Sequence, residues 1–156
     1  MPKISELLAH GAVQMNMHPE SKKQWIEQLV DLLVRTYSLE SQKDDICDAV
    51  LAREDTLSTA IGNGLAIPHA KTDVVPKLLL ACGIAPDGVE FGAPDGRDVQ
   101  VAFILASPAS EVSTHVRALA SISRIMYKGD MTAKLVAATS TDEVASLLHA
   151  AENKIT

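Results

Sequence analysis

Residues 78–106 read LLLACGIAPDGVEFGAPDGRDVQVAFILA, two apolar runs separated by turn-rich sequence. Leu78 to Ala85 and Val99 to Ala106 are near-continuous apolar stretches of strand length, the pattern of strands buried on both faces. Pro86-Asp87-Gly88 and Pro94-Asp95-Gly96 are turn signals, and they bracket a small predicted strand from Val89 to Phe91. Tight turns make antiparallel neighbours, so the predicted sheet is mixed and largely antiparallel.

Towards the N-terminus, Leu65-Ala66-Ile67 is a further short strand, stopped by Pro68. Before it the period becomes helical. Ile4 to Ala9 is a short amphipathic turn, followed by polar sequence as far as His18-Pro19. Ser21 with Gln24 three residues on is a capping-box pattern, and Ile26, Leu29, Val30 and Leu33 recur behind it at helical spacing. Ser41 opens a second predicted helix, with Ile46, Ala49 and Val50 on one face and an end near Arg53.

Towards the C-terminus, Ser110 is placed to cap a helix in which Val112, Val116, Leu119 and Met126 recur, ending near Gly129. Asp130 is placed to cap a shorter helix through Leu135. Ser140 with Glu143 is a second capping box, ahead of Val144, Leu147 and Leu148. No repeat or linker interrupts this order. The predicted fold is therefore α/β, with helices on both faces of a small mixed sheet, in one three-layer domain spanning residues 1–156.

Composition narrows the function. A chain of 156 residues that is 47% hydrophobic and 22% charged suits a single globular domain. Aromatics make up only 3%, so the core falls to Leu, Val, Ile, Ala and Met, and the composition gives no support to an aromatic base-stacking surface. A net charge of −6 argues against nucleic-acid partners and against an acidic membrane surface. Cys47 and Cys82 stand far apart in apolar surroundings, the pattern of buried free thiols, and no CxxC pair occurs. The N-terminal MPKISELLAH lacks the apolar core of a signal peptide. Runs such as Val101 to Ala106 are too short to span a bilayer. The expected location is cytoplasmic, with no direct membrane insertion.

The chemistry concentrates in Arg53 to His69, REDTLSTAIGNGLAIPH. It runs from a helix C-terminus through a polar loop into a short strand. Pro68 forces Ile67 into extended geometry, so His69 is expected to project from the strand's carboxyl end, where open α/β sheets place ligands. Taken singly, each feature has an ordinary explanation. Gly62-Asn63-Gly64 reads as a tight turn, matching neither a dinucleotide fingerprint nor a Walker loop. His69 reads as a hydrogen-bonded surface histidine. His115 lies beside an apolar stripe, with Leu119, Ile122 and Met126 at +4, +7 and +11, which fits a partly buried core histidine. Arg53 complements the dipole at a helix C-terminus.

Taken together, these residues resemble a known family. Arg53-Glu54, Ser58-Thr59 and Gly62-Asn63-Gly64-Leu65-Ala66-Ile67-Pro68-His69, with His115 at the start of a later helix, are similar to the enzyme IIA of the fructose–mannitol type. That family belongs to the bacterial phosphoenolpyruvate-dependent phosphotransferase system. Val116 departs from the leucine that often follows the second histidine, and keeps the position apolar. The resemblance implies that His69 is phosphorylated, that His115 assists beside it, and that Arg53 supplies charge at the same site. It also makes Ser58, Thr59, Gly62, Asn63 and Gly64 candidate phosphate-binding residues. The implied donor is the histidine phosphocarrier protein. Because that donor is a phosphoramidate rather than a magnesium-bound nucleotide, no metal or other cofactor is implied.

The IGNG form and the stand-alone length look closest to the nitrogen-regulatory branch, in which phosphorylation would gate binding to regulated target proteins. The alternative is a sugar-transport IIA that passes its phosphoryl group to the cysteine of a separate IIB domain. A metal-dependent hydrolase is disfavoured because His10, His18, His69, His115 and His149 show no ligand spacing such as H-E-x-x-H. A pure binding module is disfavoured by the intact set of Arg53, His69 and His115.

Overall fold

Leu79–Val89 (β5) and Val99–Ser107 (β6) are the two long strands at the centre of the sheet, paired antiparallel from Leu79↔Ala106 to Val89↔Val99. Leu79 to Ala85 of β5 and every residue of β6 except Gln100 are buried, so over that stretch neither face of the pair meets water. That is why their sequences run apolar without alternation. The computed structural model describes residues 3–8 and 11–154. Ala9, where the first predicted turn ends, and His10 lie outside the described residues.

Around the central pair the chain places helices Ile4–Leu7 (α1), Lys22–Tyr37 (α2) and Lys43–Thr56 (α3), then Val112–Tyr127 (α4), Met131–Ala137 (α5) and Thr141–Lys154 (α6). Four short strands complete the sheet: Val13–Gln14 (β1), Ala60–Gly62 (β2), Leu65–Ala66 (β3) and His69–Lys71 (β4). The strand order is β1-β5-β6-β3-β2, with β4 also on β6. The sheet is mixed as expected. Its long central pair and the β2–β3 hairpin are antiparallel, while β1 on β5 and both β3 and β4 on β6 are parallel.

Helix α2 sits directly on the sheet. A Cβ built at Gly83 of β5 would lie 2.5 Å from Leu29 Cδ2 and 2.7 Å from Met17 Sδ, so any side chain there would force those two to shift. Trp25 is fully buried on the same helix and meets Phe91 edge-on, with ring centroids 5.9 Å apart. Ser21 caps α2 as its sequence predicts, accepting from the Gln24 N–H at 3.1 Å. The Gln24 side chain reaches back one residue beyond the cap, to the Glu20 N–H at 2.6 Å. Ser140 likewise accepts from the Glu143 N–H, and the Glu143 carboxylate takes the Thr139 N–H.

Several predicted details differ. Val89 to Phe91 is not a separate strand, because β5 continues through Pro86-Asp87-Gly88 to Val89. Between Ile84 and Val89 the register slips, the six residues from Ile84 to Val89 of β5 spanning what three of β6 cover, so the turn signal makes a bulge. Gly88 permits it with φ +80°, where a Cβ would press on Asp98. The second helix begins not at Ser41 but after a 3-10 turn, Glu40–Gln42, and runs to Thr56, three residues past Arg53. Neither Ser110 nor Asp130 caps a helix with its side chain. The buried face of α4 is His115, Ala118, Ile122, Ile125 and Met126, which leaves Val112 and Val116 exposed. Spacing alone admits both stripes, and packing selects the one that contains His115.

Candidate functional site

His69 opens β4, its backbone held in register against Leu105 of β6. Pro68 separates it from β3, and the Pro68 carbonyl accepts from the Leu105 N–H at 3.0 Å. His69 Nδ1 lies 2.7 Å from the Ile67 carbonyl oxygen. A carbonyl only accepts, so Nδ1 carries the hydrogen and Nε2 is left with its lone pair. The fixed extended backbone at Ile67-Pro68 thus decides which nitrogen of His69 is nucleophilic.

His115, fourth residue of α4, brings its ring beside that of His69, with centroids 5.3 Å apart and planes at 63°. It is buried, its Nδ1 lies 2.6 Å from Ser107 Oγ, and its Nε2 has no hydrogen-bond partner among the described residues. Burial lowers the pKa of His69, helped by the positive charges of Arg53 and Lys71 and opposed by the Ile67 carbonyl and Glu54. His115 is pushed down to about 4 by burial, then by His69 and Lys71. Both rings are therefore neutral at pH 7, the state that attacks phosphorus and donates hydrogen bonds without repelling its neighbour.

Arg53 lies in the last turn of α3, where its guanidinium donates to the Leu57 carbonyl at 2.7 Å. Its charge reaches His69 through space. The Ser58 hydroxyl donates to the Phe91 carbonyl at 2.7 Å. The Thr59 hydroxyl donates to Glu54 at 2.5 Å, and the Thr59 N–H to the same carboxylate at 2.9 Å. Both hydroxyls are thus committed to shaping the loop between α3 and β2. Gly62, Asn63 and Gly64 form the β2–β3 hairpin turn, all three at positive φ. The Asn63 N–H is taken by Asp95 at 2.9 Å. Leu65 pairs with Val101 and His69 with Leu105, so this turn lies about 13 Å along β6 from His69. The structure brings His69, His115 and the charge of Arg53 together and holds Gly62 to Gly64 apart from them.

Three residues at the site were given no role by the sequence. Lys71 lies two residues beyond His69 on the same strand, hence on the same side, and the period-2 rule would have found it. Glu54 is buried and organises Thr59 while pairing with Lys22 at 3.3 Å. Ser107 is the lone hydroxyl in the buried end of β6. Elsewhere His18 pairs with Asp87, and His149 lies 3.3 Å from Ser5 Oγ, so neither joins the pair. Both cysteines are buried, with Cys82 pushed up to about 12 and Cys47 raised, so neither thiol is poised as a nucleophile. No helix among the described residues is long and apolar enough to cross a membrane.

Residues 6–151 match the family model described as the phosphoenolpyruvate-dependent sugar phosphotransferase system, EIIA 2. A fructose-specific EIIA component from Haloferax volcanii is 32% identical over 93% of this chain and 94% of its own. A fructose-specific EIIABC component from Bacillus subtilis is 31% identical over 94% of this chain, which spans only 23% of that longer protein. Among solved structures, the nitrogen regulatory protein IIA-Ntr from Neisseria meningitidis superposes with a TM-score of 0.85 at 31% identity, covering 93% of this chain and 98% of that one.

Proposed function

The chain belongs to the EIIA type-2 family of the phosphotransferase system, and from that premise we propose that it carries a phosphoryl group on His69 Nε2. The observation that supports this most directly is the 2.7 Å bond from His69 Nδ1 to the Ile67 carbonyl. It frees one defined nitrogen, on a half-buried neutral ring, for attack.

The donor is the phosphohistidine of the histidine phosphocarrier protein. As the Nε2–P bond forms, the donor's P–N bond breaks, and the electron pair returns to the donor imidazole. The proton stays on His69 Nδ1, hydrogen-bonded to the Ile67 carbonyl throughout, so the phosphorylated ring keeps its orientation. Transfer of this kind depends on alignment and on donors around the equatorial oxygens rather than on covalent work by the protein. His115 Nε2–H provides one such donor, Arg53 and Lys71 provide charge, and the N-terminal turn of α4 adds the positive end of its dipole. Because phosphohistidine replaces phosphohistidine, the group moves on with little free energy lost.

The output we favour is regulatory: the phosphorylated and free forms bind cytoplasmic target proteins differently. The IGNG motif and the likeness to IIA-Ntr support it. The similar identity to the fructose-specific EIIA component supports the second reading, delivery to the cysteine of a separate IIB domain. A chase separates the two. Phosphorylated protein is mixed with purified IIB of the fructose type, and the IIB cysteine is assayed for phosphate. Rapid transfer establishes sugar transport; retention of the group on His69 rejects it and leaves the regulatory reading.

A further inference from the structure

Ser107 ends β6, fully buried, and the only hydrogen-bond partner of its hydroxyl among the described residues is His115 Nδ1, at 2.6 Å. Two proton arrangements fit that distance. If Nδ1–H donates, the serine hydroxyl hydrogen is left in the interior with no acceptor, and Nε2 is a bare lone pair with no donor. If the serine O–H donates, Nδ1 and the hydroxyl are both satisfied and only Nε2–H lacks a partner. Buried polar groups are rarely left unsatisfied, so the second arrangement, with one open group instead of two, is the stable one.

The remaining open group also makes chemical sense. His115 Nε2 belongs to the ring that packs edge-on to His69, and a phosphoryl group there brings acceptor oxygens and no donor. A bare Nε2 lone pair would repel those oxygens, whereas Nε2–H would bind them. We propose that Ser107 is a positioning residue: its hydroxyl holds His115 in the Nε2–H tautomer, so that His115 offers a hydrogen bond to the phosphoryl group on His69. This rests on the phosphocarrier reading of His69. The fold holds Ser107 in place, since its carbonyl accepts from the Thr72 N–H at 2.8 Å and it pairs with Lys71 of β4.

Ser107→Ala removes one oxygen and leaves those backbone bonds in place, and Ser107→Thr restores the hydroxyl. Each protein is labelled with nitrogen-15 histidine, and the His115 tautomer is read by NMR at pH 7.5. Phosphorylation by the phosphorylated histidine phosphocarrier protein is then timed. The wild type is expected to show Nε2–H. In Ser107→Ala the tautomer ratio moves about tenfold towards Nδ1–H, the phosphorylation rate falls about tenfold at unchanged KM for the donor, and the threonine variant recovers both. A wild type in the Nδ1–H form, or an alanine variant with unshifted tautomer and rate, overturns the role given to Ser107. A wild type with the Nε2–H tautomer that accepts no phosphoryl group overturns the phosphocarrier reading instead, and with it the purpose of the pair.

Discussion

At His69 opposing influences act on one ring. Burial and the charges of Arg53 and Lys71 favour the neutral form, while the Ile67 carbonyl and Glu54 favour the protonated one. Burial dominates, so the His69 ring resonances should titrate with a midpoint below 6.5, and a midpoint above it would contradict the burial described. His115 carries a larger consequence. Its pKa is about 4 in the folded protein and near 6.5 when unfolded. Between those values the unfolded chain binds a proton that the folded one does not, so stability falls as the pH drops through 6.5 and levels off below 4. The loss attributable to this residue is about 3 kcal/mol at most. Urea midpoints at pH 7.5 and pH 4.5 should therefore differ more in the wild type than in His115→Gln; equal differences would refute the assignment.

Among the elements, the caps offer the cleanest contrast, because sequence treats Ser21 and Ser110 alike and structure does not. Ser21 accepts the Gln24 N–H, whereas α4 starts from Glu111 with no side-chain cap. Ser21→Ala should cost about 1 kcal/mol and Ser110→Ala close to nothing, measured by chemical denaturation. Gly83 tests the seating of α2 on β5. Gly83→Val should destabilise by about 2–3 kcal/mol, since the buried Leu29 and Met17 side chains already fill the space and would have to shift. A neutral effect would mean that α2 sits further from the sheet.

These cases also show what sequence could reveal. The central strands were legible because burial on both faces leaves an unbroken apolar run. The helix α2 was legible because its cap and its stripe agree. The β5 bulge was hidden, since Pro86-Asp87-Gly88 carries the same turn chemistry whether the chain reverses or merely bulges. The α4 stripe was ambiguous because exposed Val112 and Val116 share helical spacing with buried residues. At the site, the motif and its resemblance pointed to His69, His115 and Arg53, which the fold brings together. Ser58 and Thr59 read as phosphate-binding candidates, and the commitment of their hydroxyls was hidden because their acceptors, Phe91 and Glu54, become neighbours only when the loop folds.

On the scale of the whole molecule, the fold serves to bring two sequence-distant histidines together. Strand β6 is the common support: His69 lies beside Leu105, and Ser107 at its end contacts His115 across the turn into α4. The exposed Leu57, Val112 and Val116 belong to the loop after Arg53 and to the first two turns of α4, the same segments that carry the site. The central claim is that this arrangement makes His69 a phosphoryl carrier. The most direct test is intact mass after incubation with phosphoenolpyruvate, enzyme I and the histidine phosphocarrier protein, for the wild type and for His69→Ala. The account predicts one acid-labile phosphoryl group on the wild type and none on the variant. An unmodified wild type beside a demonstrably active donor, or a variant phosphorylated as well as the wild type, would contradict it.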